Sequence, residues 1–130
     1  MMPMRALVID DSRAMRSILC GILDGLGFET VEAADGLRAV EILGRDKAFD
    51  LALVDWNLPE MNGLEIVTRI RGDAGLAELK LLMVTTETEF ERVAQALEAG
   101  ANEYIMKPFD RDMLLDKLVM LGISVDTAKA

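Results

Sequence analysis

Short, uninterrupted apolar runs alternate along this chain with segments whose apolar residues recur every three or four positions. Ala6-Leu7-Val8-Ile9, Leu51-Ala52-Leu53-Val54 and Leu81-Leu82-Met83-Val84 have no helical spacing. Runs of that length read as strands buried on both faces. Thr30-Val31-Glu32-Ala33 alternates only in part, which suits an edge strand, and Tyr104-Ile105-Met106 makes a short fifth one. Between the strands lie helical patterns. Ser12 caps a first helix with Met15, Ile18, Leu19, Ile22, Leu23 and Leu26 inward, and Gly27 ends it. A second runs through Leu37, Val40 and Leu43 after the Asp35-Gly36 turn. A third is opened by Gly63, with Leu64, Ile66, Val67 and Ile70 inward, and is closed by Gly72-Asp73-Ala74-Gly75. A fourth rests on Phe90, Val93, Ala94 and Leu97 and stops at Ala99-Gly100. The last starts near Asp110 and carries Leu114, Leu115, Leu118 and Leu121.

Five strand–helix units in series predict one α/β domain over residues 1–122, a doubly wound, five-stranded parallel sheet with helices on both faces. Residues 123–130 read as a frayed tail. Each polar residue that stands out comes just after a buried strand. Asp10 and Asp11 follow the first, Asp55 ends the third, Thr85 follows the fourth and Lys107 the fifth. A doubly wound sheet gathers such strand ends at one edge, where these folds bind their ligands. The predicted site therefore holds three carboxylates, a hydroxyl and an ammonium.

Clustered carboxylates repel one another until protonation or a cation relieves them. Oxygen ligands select a hard ion, and few protein ligands with room for water suit Mg²⁺ better than Ca²⁺. Such an ion beside a lysine favours a phosphoryl group, whose transfer needs mainly positioning and charge stabilisation. Asp55 is then the nucleophile and an aspartyl phosphate the product.

Composition narrows the picture further. The chain has no histidine, which excludes a Ser-His-Asp triad, a histidine-ligated zinc and a histidine phosphocarrier role. A formal net charge of -9 argues against nucleic acid or an anionic membrane as partner. Two aspartates cut the first apolar run short of a secretory core or a membrane span. Cys20 is the single cysteine, expected to pack in the first helix and compatible with a reducing cytosol. Trp56 reads as a partly exposed aromatic beside Asp55, Met61 as core filler, and Asn62 as a loop residue without a larger effect.

Taken together, the Asp10-Asp11 pair, Asp55 at the end of the third strand, Thr85 after Leu82-Met83-Val84, and Lys107-Pro108-Phe109 resemble the receiver domains of two-component response regulators. The likeness spans roughly residues 5–121 and is nearest the stand-alone chemotaxis type. It implies the flavodoxin-like strand order 2-1-3-4-5. It also implies that Asp55 accepts a phosphoryl group from a histidine kinase. Mg²⁺ would be held by Asp11, Asp55 and the backbone carbonyl of Asn57, with Asp10 acting through a bound water. Lys107 would pair with the phosphate across a cis Lys107-Pro108 bond, and Thr85 and Tyr104 would form a switch pair. By the same resemblance the chain is a cytoplasmic monomer that catalyses only its own phosphorylation and dephosphorylation. Its target would be a downstream protein, with a flagellar motor switch as first expectation and a phosphorelay shuttle to another protein's histidine as second. Two readings of other classes compete. One is a flavodoxin-like FMN carrier, whose cofactor phosphate Asp10 and Asp11 would repel. The other is a Mg²⁺-dependent phosphatase acting on a separate substrate through Asp55.

Overall fold

A computed structural model of the chain describes residues 3–86 and 90–123. Strands and helices alternate as β1 (Arg5–Ile9), α1 (Arg13–Gly25), β2 (Glu29–Ala33), α2 (Gly36–Arg45), β3 (Leu51–Asp55), α3 (Gly63–Arg71), β4 (Lys80–Thr85), α4 (Phe90–Ala99), β5 (Glu103–Met106) and α5 (Arg111–Met120). A 3₁₀ turn, Ala74–Leu76, precedes β4. The five strands form one parallel sheet in the order β2-β1-β3-β4-β5. The α/β, doubly wound architecture and the strand order match the expectation.

The central strands bury both faces because their side chains alternate between two cores. Leu7, Ile9, Ala52, Val54, Leu81 and Met83 face α2, α3 and α4. Ala6, Val8, Leu51, Leu53, Leu82 and Val84 face α1 and α5. Chain order reverses between β1 and β3, so the C-terminal ends of β1, β3, β4 and β5 share one edge.

The expected helix faces hold for the most part, with Leu19, Leu23, Leu43, Ile66, Val67, Ile70 and Val93 buried, but single positions differ. Ile18 and Leu37, both expected inward, are 57% and 54% exposed, and Ala94 and Leu97 also face outward. The positions against the sheet belong instead to small residues, Gly36 and Ala39 in α2 and Ala96 in α4. At Gly36 the close neighbours are the loop after β3 and α3: a Cβ there would lie 2.9 Å from the Met61 sulfur and 3.0 Å from Ile66 Cδ1. The Phe90 side chain lies outside what is described. Ile123, at the start of the expected tail, is buried and its N–H donates to the Leu118 carbonyl, while residues 124–130 lie outside the described residues.

Arg71, at the end of α3, ties the sheet's far edge together. Its guanidinium donates to the carbonyls of Leu76 (2.8 Å), Leu79 (2.7 Å) and Gly100 (2.9 Å) and to Asn102 Oδ1 (2.8 Å). Burial holds its pKa below the usual arginine value. Arg71→Met leaves those acceptors without their charged donor, so urea unfolding should show a loss of about 2 kcal/mol. An unchanged midpoint would mean that water replaces these bonds at no cost.

Candidate phosphoryl-acceptor site

The predicted site forms where four strands end together. Asp10 extends β1 by one residue, with its N–H bonded to the Ala33 carbonyl at 3.1 Å. Ser12 caps α1, accepting from Met15 N, and its own N–H donates to Asp10 Oδ1 at 2.8 Å. The helix start thus orients the carboxylate. Asp10 is 1% exposed, and its Oδ2 has no hydrogen-bond partner. Asp55 closes β3 opposite Val84 and is also buried, whereas Asp11 is exposed. One carboxylate oxygen from each of Asp10, Asp11 and Asp55 lies within 4.8 Å of the other two.

Lys107 supplies the opposing charge. Its N–H bonds the Thr85 carbonyl at 2.7 Å, which continues the β4–β5 ladder by one step, and the Lys107-Pro108 peptide is cis as the resemblance implied. From β5 the side chain reaches past the end of β4 and sets Nζ 3.7 Å from Asp55 Oδ1 and 3.6 Å from Asp10 Oδ2. Neighbouring strands lie about 4.8 Å apart, so only a long, flexible cation bridges two of them. Thr85, fully buried on the intervening strand, donates its hydroxyl to the Thr86 carbonyl at 3.2 Å.

The other expected residues sit around this centre. Asn57 is exposed in the loop after β3. Tyr104, on β5, is half-buried, with Lys117 Nζ 4.6 Å from its ring centroid and held by Glu103 at 3.2 Å. Trp56 departs from expectation. It is 2% exposed because it keeps the strand alternation of Ala52 and Val54 and packs under Gly63, whose missing side chain leaves it room. Asn62 does more than expected, capping α3 in a reciprocal pair with Glu65. Met61 is core filler, as read. Burial pushes the Cys20 thiol pKa up, which suits a packing residue.

The donor set is all oxygen, lies near one ammonium, and includes a buried carboxylate oxygen with no hydrogen bond. A buried acceptor without a hydrogen bond, in a carboxylate cluster, fits a small hard cation such as Mg²⁺. Residues 6–119 match the family described as the response regulator receiver domain. The chain belongs to that family. It is similar to chemotaxis protein CheY1 of Helicobacter pylori, 45% identical over 92% of this chain and 98% of the relative. Chemotaxis protein CheY-3 of Vibrio cholerae is 42% identical over 88% of each. Among solved structures, the receiver superposes on CheY4 of Vibrio cholerae with a TM-score of 0.85 at 32% identity, covering 92% of this chain and 99% of that one. A receiver domain from a sensor histidine kinase of Pseudomonas aeruginosa, described with a magnesium ion coordinated in its active-site cleft, superposes with a TM-score of 0.82 at 25% identity over 93% of this chain and 99% of that one. The receiver is therefore of the chemotaxis CheY type. Among the described residues no helix is long and apolar enough to cross a membrane.

Sequence reasoning did not single out Arg16. Its guanidinium touches the Asp10 carbonyl at 2.7 Å and Glu32 at 3.0 Å. The contact joins residues on separate elements, which no local spacing marks.

Proposed function

We propose that this receiver takes a phosphoryl group onto Asp55 from the phosphohistidine of a partner kinase and then changes its affinity for a downstream protein. The observation that carries this reading is the meeting of Asp10, Asp11 and Asp55 within 4.8 Å beside the Lys107 ammonium. A carboxylate oxygen of Asp55 attacks phosphorus, the P–N bond breaks, and its electron pair leaves with the histidine nitrogen. Mg²⁺, held by Asp11, Asp55 and the Asn57 carbonyl with Asp10 behind it, would neutralise the phosphoryl oxygens when bound. Lys107 pairs with a remaining phosphoryl oxygen, and the Thr85 hydroxyl turns from the Thr86 carbonyl toward another. The chain turns over only its own phosphoryl group, in the cytoplasm, as a monomer.

Movement of Thr85 opens space behind it for the Tyr104 ring, so phosphorylation selects between two states of the face made by α4, β5 and α5. That face holds a depression of about 320 Å³ lined by residues such as Tyr104, Met106, Met113 and Met120. A flagellar motor switch is the proposed target, because the relatives are named as chemotaxis proteins. The FMN reading is disfavoured by the carboxylates that follow β1, Asp10 buried with an oxygen that has no hydrogen bond and Asp11 exposed beside it.

Treatment with a small acyl phosphate tests the chemistry. Intact mass should rise by one phosphoryl group only when Mg²⁺ is present, and borohydride reduction should trap the modified residue at Asp55. A metal-independent label, or one trapped elsewhere, would remove the proposal.

A further inference from the structure

We infer that Arg16 is a positioning residue for this site: it pins the main chain of Asp10 and so aims the carboxylate oxygen that has no hydrogen bond at the cation. The inference rests on the receiver reading above and concerns how the site is held.

Asp10 has four polar groups, and three are already engaged. Its N–H bonds the Ala33 carbonyl at 3.1 Å, its Oδ1 accepts from Ser12 N at 2.8 Å, and its carbonyl accepts from Arg16 Nη1 at 2.7 Å. Oδ2 alone has no hydrogen bond; it is buried and faces the Lys107 ammonium at 3.6 Å. Arg16 stands in the first turn of α1, where its backbone N–H donates to the Ser12 carbonyl at 2.9 Å. One helix start therefore controls both the carboxylate, through Ser12, and the peptide behind it, through Arg16.

The guanidinium is needed for its shape as well as its charge. Nη1 goes to the end of β1, while Nε goes to Glu32 on β2 at 3.0 Å. A planar fork reaches two acceptors on different strands through separate nitrogens in fixed geometry, whereas lysine offers a single nitrogen on a flexible stem. The side chain is 14% exposed, so these bonds work largely out of water, and the Glu32 carboxylate offsets the positive charge. Partners that orient metal-binding groups typically change metal affinity 10–100-fold when removed.

The sign of the effect separates positioning from simple charge. A cation near a Mg²⁺ site repels the metal, so a purely electrostatic Arg16 predicts tighter Mg²⁺ binding on its removal. Positioning predicts the reverse. Calorimetric titration of Mg²⁺ into the whole chain should give about tenfold weaker binding for Arg16→Met. Arg16→Lys should stay well below wild type despite its retained charge. Glu32→Ala, which leaves the site's own residues untouched, should weaken binding severalfold by freeing the guanidinium, and it stands in if Arg16→Met does not fold. Urea unfolding without metal identifies that case. Mg²⁺ binding by Arg16→Met equal to or tighter than wild type, or full rescue by lysine, overturns the inference. Failure of the wild type itself to bind Mg²⁺ instead overturns the receiver reading on which it rests.

Discussion

Asp55→Asn should take no label from an acyl phosphate, and without metal it should be more stable than the wild type. The first half follows from chemistry, since a neutral amide offers no nucleophilic carboxylate. The second half follows from electrostatics. Carboxylate oxygens of Asp10, Asp11 and Asp55 lie within 4.8 Å of each other, and two of these residues are buried. At an effective dielectric near 20, two unit charges at such a separation repel by roughly 3 kcal/mol. Lys107, under 4 Å from both buried members, cancels part of this, and solvent around Asp11 screens more. A net gain of about 1–2 kcal/mol remains for the amide, or about 5 °C in Tm for a domain this size. Mg²⁺ should raise the Tm of the wild type, by the linkage of binding to folding, and raise that of the variant far less. Thermal unfolding with EDTA and with Mg²⁺ reads both effects. A variant that unfolds earlier in EDTA would mean that Asp55 serves the fold, not a site held ready for a cation.

Some residues declared themselves in the sequence and others did not, for physical reasons. A strand buried on both faces must be a continuous apolar run, so β1, β3 and β4 are unmistakable, and whatever follows them is placed at the ligand edge by topology alone. Asp10, Asp55 and Thr85 were legible for that reason, and Lys107 by its place after the short fifth strand. Helix faces are harder, because hydrophobicity ranks Leu37 above Ala39 while burial in the packed domain ranks them the other way. Trp56 follows the two-residue alternation of β3 one step past the strand's end, with its N–H still bonded to the Val84 carbonyl at 3.0 Å. The pattern was there, but the adjoining loop composition masked it. Asn62 and Glu65 also carried a readable capping signal. Arg16 and Arg71 could not be read locally. Both work by reaching backbone carbonyls supplied by other segments, and nothing in the neighbouring sequence marks an arginine for that task.

Lys107→Met should separate phosphoryl transfer from metal binding, moving the two in opposite directions. Methionine keeps most of the stem's length and removes the charge. In the wild type Nζ lies 3.6 Å from Asp10 Oδ2 and 3.7 Å from Asp55 Oδ1, beyond ordinary hydrogen-bond length, so it acts on both as a charge and is not locked to either by a short hydrogen bond. In the reading proposed above that charge pairs with a phosphoryl oxygen, and loss of one such preorganised charge typically costs 10²–10³ in rate. Labelling by acyl phosphate should therefore slow by about 100-fold. Mg²⁺ should meanwhile bind several times more tightly, since a competing cation has left the carboxylates. Metal-free stability should fall, because two buried carboxylates lose their counter-charge. Breaking a fully buried pair costs about 3–5 kcal/mol, and Lys107, with 23% of its side chain exposed, should cost less, about 1–3 kcal/mol. A lysine that merely held the loop together would lower Mg²⁺ affinity and labelling in step as the site loosened. Tighter metal with slower transfer is the signature of a charge reserved for the phosphoryl group, and labelling at the wild-type rate would take Lys107 out of the chemistry.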